Sequence, residues 1–489
     1  MTRTVEVRSG AYRDSVGLMQ VSTQLRSLSG VEAALVAMAT ELNLDLLDSM
    51  GFDRPVPTSP NDMLVAIDAT DTDAVTDALR VLEAALAAGP APGGGSTDVP
   101  PPTIQAAARR IQAQLALVST PGAVAAIDAA DALGVGLDVM VFSDNVAVEH
   151  EIALKELAAA AGLLVMGPDC GTAVVGGVGL GFANVVRPGP VGIVAASGTG
   201  AQHLMALLDG ASIGVTHCLG VGGRDLSAEV RGRSTLTALD RLDADDSVTT
   251  IVIVSKPPAD EVADLVTRHA VGLRTPTVLG YLGPGRPDIT ATAQQVVEAA
   301  GGAWQQPRRW GGDAPAARDG DLRGLFTGGT LCDEAMLIAT AKLGPVASNI
   351  PLPGGTQIDA ELASRGHTFI DFGDDQLTVG RPHPMIDPTL RLERLGAELA
   401  DATCAVVMLD VVLGHGAHED PATDLSAAIR GSDKPVVVSI VGTRDDPQDL
   451  EAQAERLADA GAIVHASNAA ATREALAILG ESTRQEPTP

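Results

Sequence analysis

Val191-Gly-Ile-Val-Ala-Ala-Ser197-Gly-Thr-Gly200 is the stretch on which the reading of this chain turns. Its uncharged run, rich in Val and Ile, fits a strand buried on both faces. Ser197 then supplies the N-cap of a helix expected to run to about Asp209. The glycines let a ligand come close to the backbone. Strand, glycine-rich turn and helix make one unit of a doubly wound parallel sheet. Such sheets bind ligands at the carboxyl ends of their strands.

The same unit recurs in both directions. Upstream, Leu115–Val118, Val139–Phe142 and Leu163–Met166 are expected strands, each followed by a turn: Ser119-Thr-Pro-Gly122, Ser143-Asp-Asn145 and Gly167-Pro-Asp-Cys-Gly171. Downstream come Gly220-Val-Gly-Gly-Arg-Asp225 and strands at Thr250–Ser255 and Thr277–Gly280. Farther on, Leu325-Phe326 leads into Thr327-Gly-Gly-Thr330 and a helix over Cys332–Ala341. Strands follow at Phe369–Phe372, Ala405–Leu409 and Val436–Ile440. The N-terminal region reads as a smaller unit, with strands at Val5–Arg8, Val31–Met38 and Met63–Ile67 and helices at Ser15–Leu28 and Asp73–Ala88. The fold class is therefore multidomain α/β. The predicted organisation is an α/β unit at 1–88, a Gly/Pro-rich linker at 89–102, a Rossmann-like domain at 103–187 and a flavodoxin-like domain at 188–304. A second linker at 305–321, a second flavodoxin-like domain at 322–480 and a polar tail at 481–489 complete it.

The 489 residues carry 62 Asp and Glu against 33 Lys and Arg, a net charge of −29. That field repels nucleic acid and anionic membrane, and neither is expected as a partner. A small anionic substrate has to be captured by local donors instead. No apolar run reaches the roughly 20 residues that span a bilayer. The start, Met1-Thr-Arg-Thr-Val-Glu, lacks the apolar stretch of a signal peptide, so the expected location is cytoplasmic. Cys170, Cys218, Cys332 and Cys404 lie far apart, without CxxC or Cys/His spacing of zinc type. Neither a metal centre nor a disulfide framework is expected.

Three loops share one design. They are Ser197-Gly198-Thr199, Gly328-Gly329-Thr330, and Gly414-His415-Gly416 with His418, ahead of a helix near Asp424. Amides at a helix N-terminus lack intrahelical partners, and the helix dipole adds positive potential, so each loop is a candidate phosphate or carboxylate cradle. An ordinary strand–helix turn favours the same residues, and convergence of the loops in space separates the two readings. Arg381-Pro-His383-Pro pairs an anion receptor with a titratable imidazole on a rigid loop. Arg381, His383 and His415 are the candidate catalytic residues, as donors to an oxyanion or as a general acid. Lys256 ends a strand and is a candidate to reach the pocket. Cys170 and Arg224 are further candidates on their turns.

Taken in order, these motifs resemble the succinyl-CoA synthetase superfamily. Val165-Met-Gly-Pro-Asp-Cys-Gly171, Val191-Gly-Ile-Val-Ala-Ala-Ser-Gly-Thr199 and Gly220-Val-Gly-Gly223 look like the alpha subunit. Phe369-Ile-Asp-Phe-Gly373 and Gly414-His-Gly416 look like the ligase domain of the beta subunit. Within the superfamily the chain resembles the FdrA type through Val7-Arg-Ser-Gly-Ala-Tyr-Arg-Asp-Ser15, Gly328-Gly-Thr-Leu-Cys-Asp-Glu-Ala335 and Gly380-Arg-Pro-His-Pro384. The resemblance implies a CoA-binding-type domain at 103–187 and two synthetase-type domains after it. Two departures bear on the chemistry. The loop Tyr281-Leu-Gly-Pro-Gly-Arg-Pro-Asp288, where the synthetases carry a phosphohistidine, has no histidine, and no ATP-grasp domain is visible. The FdrA resemblance implies a subunit of a carbamoyltransferase that converts oxalurate and phosphate into oxamate and carbamoyl phosphate in purine catabolism. Such a subunit works in a hetero-oligomer with other transferase subunits, and the reaction needs no cofactor. The alternatives are an acyl-CoA synthetase that binds CoA and acyl phosphate, and a non-catalytic regulatory subunit.

Overall fold

The structure is a computed structural model describing residues 2–9, 15–56, 58–59, 62–87, 101, 103–378 and 382–480. The expected linker at 89–102, apart from Pro101, and the tail at 481–489 lie outside the described residues, as does Arg381. The chain divides into two compact units, 1–99 with 379–382, and 100–378 with 383–489.

In the first unit, strands Thr2–Arg8 and Val31–Met38 flank Met63–Ala69 in an antiparallel sheet. The middle strand is wholly buried because helices cover both of its faces. Met63, Val65 and Ile67 pack with Leu18, Leu25 and Leu82, whereas Leu64 and Ala66 pack with Leu47 and Phe52. The helix Glu41–Ser49, which carries Leu47, is absent from the sequence reading. It is short and rich in acidic and Asn residues, and Thr40 caps it by accepting from Asn43 N.

The second unit holds three sheets. The smallest is parallel, in the order Leu115–Val118, Asp138–Val141, Val165–Met166. A six-stranded sheet runs Thr277–Tyr281, Thr250–Ser255, Val191–Ala196, Val215–Gly220, Thr172–Val175, Val178–Gly181. Its first four strands are parallel, and the last two form an antiparallel hairpin that the sequence did not announce. An eight-stranded sheet runs Arg309–Trp310, Ile463–His465, Val436–Val441, Cys404–Val412, Asp321–Phe326, Thr368–Asp371, Ala347–Ser348, Thr356–Gln357. Arg309–Trp310 lies in the stretch expected to be irregular. Trp310 joins the core and draws its neighbours into a short antiparallel pairing with Ile463–His465.

The uncharged strands are buried on both sides. Ile193 and Ala195 pack with Leu204 and Leu208 of helix Gly198–Gly210. Val194 and Ala196 pack on the other face, with Leu239 and Leu242 of helix Arg233–Ala244. The second large sheet repeats the plan. Val407 and Leu409 meet Leu425 and Leu457, and Val406 and Met408 meet Met336 and Leu476. Burial of about 25 cal/mol per Å² of apolar surface on both faces is what holds such strands central.

Candidate active site

The turns that follow Val191–Ala196, Thr250–Ser255, Asp321–Phe326 and Thr368–Asp371 come together at one place. Ser197 caps helix Gly198–Gly210 by accepting from Gly200 N at 2.9 Å, and its hydroxyl donates to Thr330 Oγ1 at 2.7 Å. Thr330 lies in the first turn of helix Gly329–Leu343. Two helix N-termini, one from each large sheet, thus meet through a pair of hydroxyls. A Cβ on Gly328 would lie 2.6 Å from Thr199 Oγ1, and one on Gly200 would lie 2.9 Å from the Thr330 methyl. Only glycine permits this approach. The expected cradles at 197–199 and 328–330 therefore converge.

Lys256 enters the same space. A Cβ on Gly329 would lie 2.9 Å from Lys256 Nζ and 2.7 Å from Asp371 Oδ2. Lys256 Nζ is 3.8 Å from Asp333 Oδ2. Burial alone would lower the ammonium's pKa, but Asp333, Asp371 and Asp169 outweigh it and hold the lysine above its ordinary value. Asp371 is almost fully buried. Burial, helped by the Asp333 and Asp374 charges, raises its carboxyl to about 7 against the pull of Lys256 and the Gly373 amide. Gly373 N donates to Asp371 Oδ1 at 2.9 Å, and Asn349 brackets the residue through its backbone N and O. Asp333 is likewise raised by burial.

His383 reaches the rim of this cluster. Its Nε2 would be 2.8 Å from a Cβ on Gly373, and its ring tilts against Phe182 with centroids 5.7 Å apart. Burial, followed by the Arg391 charge, lowers its pKa to about 4, so the imidazole is neutral at physiological pH. Nδ1 accepts from Met385 N at 3.2 Å, which assigns the proton to Nε2 and makes that atom a donor.

Two expected cradles are corrected by the hydrogen bonds. The Gly328 amide is occupied from within: Asp410 accepts from Thr327 N, Thr327 Oγ1 and Gly328 N at 2.8–2.9 Å, and Arg391 pairs with Asp410 at 2.9 Å. The donors left to a ligand on this turn start at Gly329. Gly414 is likewise closed, since Gln448 accepts from its N–H and donates to its carbonyl. The helix after that loop begins only at Pro421, so Gly414 and Gly416 do not sit at a helix N-terminus. His415 is exposed, and its amide donates to Ala183 O at 2.9 Å. Gly416 packs beside Phe182, which places this loop next to the His383 ring and not among the converging turns.

Cys170 is buried, and burial followed by the Asp169 charge pushes its thiol up to about 12. A thiol so held is protonated and a poor nucleophile. Arg224 donates to Val146 O and pairs with Glu151, which also holds the buried Lys155. Among the described residues no group of three or more His, Cys, Asp and Glu is arranged to hold a metal ion. No helix there is long and apolar enough to cross a membrane. The sequence reading missed the carboxylates Asp333, Asp371 and Asp410. All three stand within or at the end of the motifs quoted above, and the signal was a charge closing an apolar strand or opening a helix.

Comparison with known proteins bears on both ends of the chain. Residues 325–478 match the CoA-ligase family model, and residues 1–101 match one described as AllF, heavy metal-associated domain. Residues 1–101 contain neither cysteine nor histidine, so thiolate and imidazole ligands are missing from that segment. The uncharacterized protein YahF of Escherichia coli is 38% identical over 503 residues, covering 96% of this chain and 97% of that protein. The alpha subunit of the ADP-forming succinate–CoA ligase of Methanothermobacter thermautotrophicus is 27% identical over 125 residues, covering 25% of this chain and 41% of that subunit. Among solved structures, the dinucleotide-forming acetyl-coenzyme A synthetase 1 of Ca. Korarchaeum cryptofilum matches at 17% identity with a TM-score of 0.31, over 77% of this chain and 84% of that one. ATP citrate lyase from Methanothrix soehngenii matches at 18% identity with a TM-score of 0.33, over 40% of this chain and 36% of that one.

Proposed function

Since this chain belongs to the FdrA/AllF-like family of succinyl-CoA synthetase relatives, together with YahF of Escherichia coli, we propose that it is a carbamoyltransferase subunit acting on a short amide-bearing acid, with oxalurate the expected substrate. The observation that carries the reading is the meeting of two helix N-termini around Lys256, with Asp371 and Asp333 beside it. Helix N-termini and a lysine suit phosphate. The carboxyl groups suit the N–H donors of a carbamoyl group, and an acyl group offers no such donors.

In this reading the amides at Gly198, Thr199, Gly329 and Thr330 and the Ser197 hydroxyl hold phosphate, and Lys256 neutralises it. A phosphate oxygen attacks the carbamoyl carbon. The bond from that carbon to the amide nitrogen of oxalurate breaks, and the nitrogen leaves as the amide of oxamate after taking one proton. Asp371, half protonated near neutral pH, is the acid that supplies that proton, and the proton of the phosphate later restores it. The neutral His383 offers Nε2–H to the developing oxyanion. Positioning and fixed dipoles supply most of the rate.

CoA is the group the family resemblance adds. Under the second reading the domain at 103–187 would hold it, and there the turn at Gly122 packs against the next one: a Cβ on Gly122 would lie 2.2 Å from Asp144 O and 2.6 Å from Asn145 O. The CoA-ligase family match over 325–478 supports acyl-CoA ligation as the second reading.

The test is an assay of oxalurate phosphorolysis, followed by phosphorus NMR, on the purified protein with whatever subunits co-purify. Carbamoyl phosphate is expected, and Ser197→Ala should lower its formation about 100-fold, the effect typical of losing one oxyanion donor. CoA-thioester formation without any carbamoyl phosphate would reject the proposal in favour of the second reading.

A further inference from the structure

Beside Lys256 lies a half-open cavity of about 100 Å³. Leu226, Pro257 and Ala259 line its apolar side, and Ser227, Ser255 and Lys256 its polar side. Ser255 is 1% exposed, and its hydroxyl has no hydrogen-bond partner among the described residues. Its direction follows from strand alternation. In Thr250–Ser255, Ile251 and Ile253 pack with Leu226 and Val262, whereas Val252 and Val254 pack on the opposite face. Ser255 shares the face of Ile251 and Ile253, which is the cavity's side.

A buried hydroxyl without a partner costs on the order of 1–3 kcal/mol, so its persistence calls for a guest. Ser227 Oγ accepts from Val230 N at 3.2 Å, which leaves its proton free to donate. The polar wall therefore offers two hydroxyls and one ammonium, and no carboxylate lines the cavity among the described residues. Such a wall recognises a small anion. The apolar half opposes a strongly hydrated dianion and suits a singly charged carboxylate.

We propose that this cavity is the carboxylate subsite of the enzyme, holding the terminal carboxylate of a short 2-oxo acid amide against Ser255, Ser227 and Lys256. The inference rests on the carbamoyl-transfer reading for the identity of the ligand, but the geometry stands without it. Lys256 lies on the wall shared with the cleft. It places the carboxylate end on one side and the transferable group on the side of Asp371, so the cavity measures the distance between them. Amides without a carboxylate leave the Ser255 hydroxyl unanswered.

Calorimetric titration of the full chain, with its co-purifying subunits, tests this without turnover. The probes are oxamate, acetamide and inorganic phosphate. Oxamate is expected to bind and acetamide not. Ser255→Val should weaken oxamate binding at least tenfold and leave phosphate binding unchanged. Ala259→Val, which narrows the cavity without touching Ser255, should weaken oxamate in the same direction and serves if Ser255→Val does not fold. Oxamate binding unchanged in both variants would overturn the subsite, even if carbamoyl transfer is observed. Oxamate binding lost in the variants, with no carbamoyl transfer by the wild type, would keep the subsite and reject the transfer reading.

Discussion

Asp371 carries a proton that an ordinary aspartate would have lost three pH units lower. Its folded pKa of about 7 stands above the usual carboxylate value, so the folded state binds more protons than the unfolded one between about pH 4 and 7. Stability from this group is therefore greatest in acid and declines as pH rises through 7. Asp371→Asn should reverse that trend: relative to wild type it gains roughly 1–3 kcal/mol between pH 5 and pH 8, read as the difference in melting curves. The same variant should lose carbamoyl transfer and the fall of its rate above pH 7. A wild-type pH profile in Asp371→Asn would remove Asp371 from the acid role. His383 works in the opposite sense. With its pKa lowered to about 4, the folded state binds fewer protons between about pH 4 and 6.5, and stability from this group rises with pH across that window. Cys170, with its thiol at about 12, should resist iodoacetamide in the native protein and react only after unfolding. Rapid native alkylation at Cys170 would contradict that thiol's enclosure.

At the scale of elements, the turn Thr327-Gly328 owes its shape to Asp410 on the neighbouring strand Cys404–Val412. That carboxylate accepts three bonds from the turn and pairs with Arg391 from helix Thr389–Ala400. Removing it leaves two amides unanswered and a buried guanidinium without its counter-charge, held only by the carbonyl of residue 410. Asp410→Ala should cost about 3–5 kcal/mol in a denaturant titration, and a loss below 1 kcal/mol would show that the turn holds itself. The strands were legible in the sequence from their apolar runs: Leu115–Val118, Val31–Met38 and Thr250–Ser255 are found at the expected bounds, the last buried on both faces and Val31–Met38 buried on alternate residues. The hairpin Thr172–Val175 and Val178–Gly181 was not, since its outer strand is largely exposed and carries no apolar pattern. The convergence of Ser197 with Thr330 was legible only as a condition, because no local pattern states that residues so distant in sequence touch. The closure of Gly414 by Gln448 was hidden for the same reason.

Across the second unit, the two large sheets are joined by buried polar bonds more than by apolar contact alone. Asn184 and Val185 N donate to Asp446 at 2.7 Å each, Thr443 donates to Val185 O at 2.7 Å, and Glu334 accepts from Ile289 N at 2.7 Å. Each bond would leave a buried partner unanswered if the halves parted, which penalises partial opening. Residues 103–480 should therefore unfold in one transition, with calorimetric and van't Hoff enthalpies in agreement. Two resolved transitions would show independent halves. The hydroxyl pair Ser197–Thr330 has a further consequence at this scale. It is the keystone of an arch whose two piers are the sheets, and it sits where the oxyanion is to bind. In the proposed reaction an arriving phosphate would displace the keystone and take over its load, so that for the length of a turnover the arch would be spanned by the reactant itself.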